Sequence, residues 1–141
     1  MCGFVGFTNF IGEKADRVLE DMMNKIVHRG PDSSGKFVNE DICLGFRRLS
    51  IIDLEGGSQP LYNEDGTMIL VFNGEIYNHR ELRDELIERG HIFKTRTDSE
   101  TLLHGFEEYG EELPSRLRGM FSFVILDTKT KTLLSKMSLL F

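Results

Sequence analysis

The residue with the most to offer a reaction is Cys2. Initiator methionine is commonly removed when the next residue is small, and its loss here would leave a thiol and a free α-amine on one residue. An α-amine has an unperturbed pKa of about 7.7–8.0, so near neutrality part of it is unprotonated and able to take the thiol proton, directly or through a water. An N-terminal Cys can therefore be nucleophile and base together. Gly3 and Gly6 would let a substrate or another backbone come close to it. By position alone, Cys2 is merely the residue after the start codon; further motifs add weight to the chemical reading.

The first is His28-Arg29-Gly30-Pro31-Asp32-Ser33-Ser34-Gly35, where Pro and two glycines fix an unusual turn that Arg and Asp can lock by pairing. The second, Arg47-Arg48-Leu49-Ser50-Ile51-Ile52-Asp53-Leu54 followed by Gln59-Pro60-Leu61, puts two cations inside an otherwise apolar strand. A guanidinium held there offers a bidentate fork that fits a carboxylate. The third is Phe72-Asn73-Gly74-Glu75-Ile76-Tyr77-Asn78, where a strand gives way to an Asn-Gly pair before a helix. Asn-Gly is usually a turn signal, but an Asn side-chain N–H and the next backbone N–H can also converge on one point, as an oxyanion hole requires. The fourth, Thr97-Asp98-Ser99-Glu100, reads equally as a helix N-cap and as a ligand-binding segment.

Periodicity gives the elements that must hold these groups. Cys2–Phe7 reads as a short strand buried on both faces. Ala15, Val18, Leu19, Met22, Met23 and Ile26 form one helical stripe, ended by Gly30-Pro31. Strands follow at Gly35–Val38 and Ile42–Ile52 around the turn Asn39-Glu40-Asp41, then a loop over Asp53–Pro60. Met68–Phe72 is a strand behind the turn residues Asn63-Glu64-Asp65-Gly66, which suit a hairpin. A helix over Asn78–Arg89 carries Leu82, Leu86 and Ile87 on one face and stops at Gly90. Asp98 is placed to cap a third helix over Ser99–Tyr109, with Leu102, Leu103 and Phe106 inward. Met120–Leu126 and Thr132–Leu134 make a last hairpin, so helices and strands mix in a layered α+β unit.

Length and composition bound the rest. The chain has 141 residues, 40% apolar and 28% charged, enough for one domain with a core and too few for two ordinary ones. Its net charge of −6 argues against nucleic acid as partner. No apolar run approaches the roughly 20 residues that cross a bilayer, and no basic segment introduces a secretory signal; a cytoplasmic protein is expected. Cys2 and Cys43 make no disulfide framework, and Cys43 reads as a small buried hydrophobe. The four histidines, His28, His79, His91 and His104, are scattered over separate elements and read as structural or surface groups. No metal site is expected.

Together, the Cys-Gly start, the Arg29-Gly30-Pro31-Asp32 segment with Gly35, Arg48-Leu49-Ser50-Ile51-Ile52-Asp53 with Gln59-Pro60-Leu61, and Asn73-Gly74-Glu75-Ile76-Tyr77-Asn78 resemble the glutaminase domain of the glutamine-hydrolysing asparagine synthetase family. The likeness runs from Cys2 to about Leu134. Amidotransferases of the same nucleophile class that act on phosphoribosyl pyrophosphate or fructose 6-phosphate share the Cys-Gly start but differ after Arg29-Gly30; Pro31-Asp32 favours the asparagine synthetase branch.

The resemblance implies a fold and a reaction. The fold would be an α+β four-layer αββα sandwich of the N-terminal nucleophile hydrolase type, with two mostly antiparallel sheets between helix layers. Cys2 would be the nucleophile, its α-amine the base, and Asn73 and Gly74 the oxyanion hole. Glutamine would lie against Arg48, Leu49, Ser50, Ile51, Ile52, Asn73, Gly74, Glu75 and Asp98. Among these Arg48 would clamp the α-carboxylate, while Asp98 and the backbone at Glu75 take the α-ammonium, which discriminates against protein-bound glutamine. Thiolate attack on the carboxamide would release ammonia and leave a glutamyl thioester, hydrolysed to glutamate. This half needs no metal or cofactor. ATP and Mg2+ would serve a synthetase domain, expected to be absent from this chain, that activates aspartate as an adenylate to receive the ammonia. The expected partners are L-glutamine and a synthetase subunit or a second copy of the chain, with no nucleic acid and no membrane.

Family members follow the last matched hairpin with a segment of the form Ala-Arg-Asp-x-x-Gly-Ile-Lys-Pro-Leu-Tyr and several more strands; this chain reads Ser135-Lys136-Met137-Ser138-Leu139-Leu140-Phe141. The expected division is therefore an incomplete amidotransferase domain over 1–134 and a divergent tail over 135–141, ending in an exposed apolar triplet. A frameshift or premature stop would be the economical explanation. Two other readings stay open: a non-catalytic remnant or interaction module whose open sheet edge a partner covers, and an amidotransferase subunit serving another acceptor.

Overall fold

The computed structural model describes residues 2–9, 12, 14–49 and 58–138. The chain divides into two compact units, Met1–Pro60 and Leu61–Phe141.

In the first unit, β1 (Gly3–Thr8), β2 (Ser33–Val38) and β3 (Ile42–Arg48) form an antiparallel sheet in the order β1-β3-β2. The helix α1 (Ala15–Lys25) lays Ala15, Leu19 and Met23 onto Cys43, with Val5 and Phe7 packed alongside. The stripe at three- and four-residue spacing thus faces the sheet as its periodicity requires. Cys43 is fully buried, and burial pushes its thiol pKa up. The β2–β3 hairpin closes on Asn39, whose Oδ1 accepts the N–H groups of Asp41 and Ile42 at 3.0 and 2.8 Å. Strand β1 departs from expectation: it is an edge, with Phe4, Val5 and Phe7 half-buried and Gly6 and Thr8 exposed. The strand buried along its length is β3, which has a neighbour on each side. Residues 50–52 of the expected long strand, and 53–57 of the loop after it, lie outside the described residues.

In the second unit, β4 (Leu61–Tyr62), β5 (Met68–Ile76), β6 (Gly119–Asp127) and β7 (Thr132–Met137) make an antiparallel sheet in that order. The expected hairpins are both present. Helices α2 (His79–Glu88), α3 (Asp98–Tyr109) and the single turn α4 (Leu113–Arg116) contribute to a core with Leu70, Phe72, Ile76, Phe121, Phe123 and Ile125 from the strands and Leu82, Leu102, Leu103, Phe106 and Leu113 from the helices. Ile69 and Val71, on the opposite face of β5, are fully buried too, so this strand lacks the polar alternation of a half-exposed one.

Four expectations about this unit are corrected. Strand β5 does not end before Asn73-Gly74; it runs on to Ile76, with Asn73, Gly74 and Glu75 paired to Ser122, Phe121 and Met120. Tertiary pairing with β6 overrides the turn preference of Asn-Gly. Ile87 does not share the buried face of α2, being 47% exposed while Leu86 is 0%; one residue turns the helix by about 100°. Asp98 is not the cap of α3 but its first residue: Thr97 is the N-cap, accepting Glu100 N–H on its side chain at 3.4 Å. Strand β7 also extends past Leu134, pairing Ser135, Lys136 and Met137 with Val124, Phe123 and Ser122. The terminal triplet Leu139-Leu140-Phe141 lies outside the described residues.

Candidate active site

The expected site residues fall in both units. In the first, the antiparallel pairing Gly3 with Arg47 carries the register one step on, to Cys2 opposite Arg48. The Cys2 side chain lies along the next residue: Leu49 N–H donates to Sγ at 3.4 Å, and Sγ–H donates to the Leu49 carbonyl at 3.8 Å. Arg29 Nε donates to the Cys2 carbonyl at 3.2 Å. The half-buried nucleophile candidate is thus held through thiol and backbone at the head of β1.

The Arg-Gly-Pro-Asp segment explains itself here. Asp32 N–H donates to the Arg48 carbonyl at 3.0 Å, drawing the segment onto the end of β3. At Gly30 a Cβ would collide with the backbone of Arg47 and Arg48, so only Gly permits this approach. A Cβ at Gly35 would likewise run into the Gln59 carbonyl, which ties that glycine to the Gln-Pro pair. Of the two cations, Arg47 serves the scaffold: its Nε donates to the Met23 carbonyl at 3.2 Å and its Nη2 to Asn24 Oδ1 at 2.7 Å, at the C-terminal turn of α1. Arg48 is the buried one, 9% exposed. Ser50, Ile51 and Ile52 lie outside the described residues. A groove of about 350 Å³ between α1 and the sheet, lined by Glu20, Met23, Asn24, Ser34, Lys36 and Arg47, contains none of the expected site residues.

The second unit holds Asn73, Gly74, Glu75 and Asp98. Gly74 has φ +149°, and a Cβ there would strike the Met120 carbonyl and Phe121. Asn73 is half-buried, and among the described residues no hydrogen bond forms to its side-chain amide. Asp98 Oδ2 accepts Ile76 N–H at 3.0 Å, which fixes the carboxylate one residue from Glu75. Burial pushes the Asp98 carboxyl above its usual pKa, against the opposing pull of the Ile76 N–H. Asp98 owes that place to its neighbours. Glu100 accepts the backbone N–H groups of Lys94 and Thr95 at 2.6 and 2.7 Å and the Thr95 hydroxyl at 2.6 Å, so it braces the approach to α3. Asn78, at the end of the Asn-Gly-Glu-Ile-Tyr-Asn motif, donates to the Arg116 carbonyl and accepts Arg118 N–H, each at 2.9 Å. The sequence signalled Glu100 and Asn78 by motif membership but not their bracing roles. It also missed a cluster in which the His91 and His104 rings, expected on separate elements, stand 5.2 Å apart.

The structure thus supplies a cysteine at position 2, a buried arginine at the next register position, and, in the other unit, an Asn-Gly pair with a pinned carboxylate. A family model described as glutamine amidotransferase domain matches residues 1–136, and the chain belongs to that family. Among its sequence relatives, asparagine synthetase (glutamine-hydrolyzing) 1 of Bacillus subtilis is 53% identical over 129 residues, 89% of this chain and 20% of the relative. Asparagine synthetase (glutamine-hydrolyzing) of Zea mays is 46% identical over 138 residues, 96% of this chain and 23% of the relative. The chain therefore spans about a fifth of the length of these curated relatives. Two solved structures share its fold. The glutamine phosphoribosylpyrophosphate amidotransferase of B. subtilis matches with TM-score 0.67 and 21% identity over 90% of this chain and 35% of that one. A structure described as the allosteric regulatory enzyme of purine biosynthesis matches with TM-score 0.73 and 20% identity over 98% and 37%. At such identities the likeness shows the fold alone, α+β of the N-terminal nucleophile hydrolase type. No helix among the described residues is long and apolar enough to cross a membrane.

Proposed function

We propose that the chain, once Met1 is removed, hydrolyses free L-glutamine to glutamate and ammonia, and that the ammonia serves ATP-dependent asparagine synthesis from aspartate in a synthetase domain or subunit. The observation that carries this reading is the seating of Cys2, its thiol against the Leu49 backbone and its register position opposite buried Arg48.

The α-amine of Cys2 takes the thiol proton, and the thiolate adds to the side-chain carboxamide carbon of glutamine. The oxyanion so formed is met by the Asn73 side-chain N–H and the Gly74 N–H. Its collapse breaks the C–N bond; the departing nitrogen takes the proton from the α-ammonium and leaves as ammonia. Water then adds to the glutamyl thioester, the C–S bond breaks, and the thiolate and glutamate separate. Arg48 pairs with the substrate α-carboxylate, and Asp98 with the Glu75 backbone takes the α-ammonium. The step asks for no metal or cofactor; ATP and Mg2+ belong to the synthetase reaction.

The test is an intact-protein mass spectrum before and after incubation with 6-diazo-5-oxo-norleucine, which mimics glutamine and alkylates a competent nucleophile. The expected result is a mass lacking Met1 that gains one adduct, with no adduct on Cys2→Ala. Loss of Met1 without an adduct refutes the reading and favours a non-catalytic module.

A further inference from the structure

Within the second unit, His91 stands in the connection after α2, and His104 and Glu107 lie one turn apart on α3. Glu107 Oε2 is 2.8 Å from His104 Nδ1 and 3.4 Å from His91 Nδ1. One ligand atom from each of the three residues lies within 4.8 Å of the others. Ligands bonded at about 2.0–2.2 Å in tetrahedral geometry stand about 3.3–3.6 Å from one another, so the His91–Glu107 separation already fits the edge of a coordination shell and the His104–Glu107 hydrogen bond has only to open slightly to do so.

The remaining polar atoms of the three side chains are also faced by partners. Asn63 Nδ2 donates to Glu107 Oε1 at 2.9 Å. Glu108 Oε2 lies 3.1 Å from His91 Nε2, and oxygens of Glu64 and Glu100 each lie 3.8 Å from His104 Nε2. A carboxylate behind an imidazole fixes its tautomer and raises its strength as a ligand, the usual support of metal-bound histidine. His104 is only 2% exposed, and the Phe93 ring stands edge-on to it at 4.6 Å. Four carboxylates thus converge on two imidazoles, while the Arg89 guanidinium reaches Glu108 at 2.8 Å on the outer side. The place favours a cation.

We propose that His91, His104 and Glu107 form a binding site for a divalent transition-metal ion of the zinc class, held through two imidazole Nδ1 atoms and one carboxylate oxygen. Two nitrogens and an oxygen suit zinc, cobalt and nickel better than magnesium or calcium. The ion displaces the proton shared by His104 and Glu107 and ties the connection after α2 to α3. It stands apart from the glutaminase step and depends on none of that reading.

The test uses the full chain carrying Cys2→Ser, so that no N-terminal thiol competes for metal, freed of metal and titrated with Co2+ by visible absorption and with Zn2+ by calorimetry. The expected result is one ion per chain, with the absorption of nitrogen and oxygen ligation. Glu108→Gln, which removes only the carboxylate behind His91, is expected to weaken binding roughly 10–100-fold, and His91→Gln by at least as much. His91 is half-buried at the surface of the unit, and circular dichroism checks that its variant keeps the fold. No uptake by the folded chain at millimolar Co2+, or uptake whose affinity His91→Gln leaves unchanged, overturns the proposal.

Discussion

Asp98 accepts the Ile76 N–H with one carboxylate oxygen, and burial pushes its pKa up, so a substrate ammonium placed beside it as proposed would meet a carboxylate in need of a counter-charge. A sign follows for the pH dependence. As pH falls through that raised value, Asp98 takes a proton and loses its pull on the ammonium, so KM for glutamine rises while kcat changes less. Asp98→Asn is expected to show high KM across the range and to lack this acidic limb, as steady-state kinetics from pH 4 to 8, from about the carboxylate reference to about four units above it, will show. Gly74 makes a different demand. Its φ of +149° and the Met120 carbonyl against it leave no room for a Cβ. Gly74→Ala should therefore cost about 1–3 kcal/mol in urea denaturation and, under the oxyanion role proposed for its N–H, lower kcat more than it raises KM. Both residues were legible as a motif. That Asp98 bonds to β5 while Thr97 caps α3 was not, because either side chain can accept a helix N–H and only the position of Ile76 decides between them.

Helix α2 shows how far periodicity reads at the scale of an element. Leu82 and Leu86, four residues apart, are buried, while adjacent Ile87 points outward. Leu86→Ala should therefore cost about 2–5 kcal/mol and Ile87→Ala should stay within about 0.5 kcal/mol, measured by the same denaturation. The cap of α3 is a further point of leverage: Thr97→Ala should destabilise by about 1 kcal/mol through loss of the hydrogen bond to Glu100 N–H. The extension of β5 over Asn73 to Ile76 had no local signal. Asn-Gly favours a turn, and the strand continues because Ser122, Phe121 and Met120 present an uninterrupted partner.

Across the whole molecule, protection is expected to follow pairing and burial. Strand β6 is bonded on both sides from Ser122 to Asp127, with Phe123 and Ile125 fully buried, whereas β1 and β2 are edges of their sheet. In native-state hydrogen exchange the amides of Phe123–Leu126 should be the slowest and those of β1 and β2 markedly faster; the reverse order would show that the first unit, with its smaller described core, is the more stable. The class of fold was readable in advance, since strands and helices with caps and turns between them announce an α+β protein.

What the sequence determined by itself is local: the helical stripe of α1, the hairpin turns at Asn39 and Asn63–Gly66, the stop at Gly90, and the motifs naming Cys2, Arg48, Asn73 and Asp98. These are set by neighbours within a few residues, through steric limits on φ, capping and apolar periodicity. Tertiary structure alone decided that β1 is an edge, that Cys2 lies against Leu49, that Gly30 must be bare to let its turn reach β3, and that His91 meets His104 and Glu107. Each of these depends on which backbone lies opposite which. That pairing is fixed by the burial of whole faces across long loops, and residues tens of positions apart become neighbours only once the faces have closed.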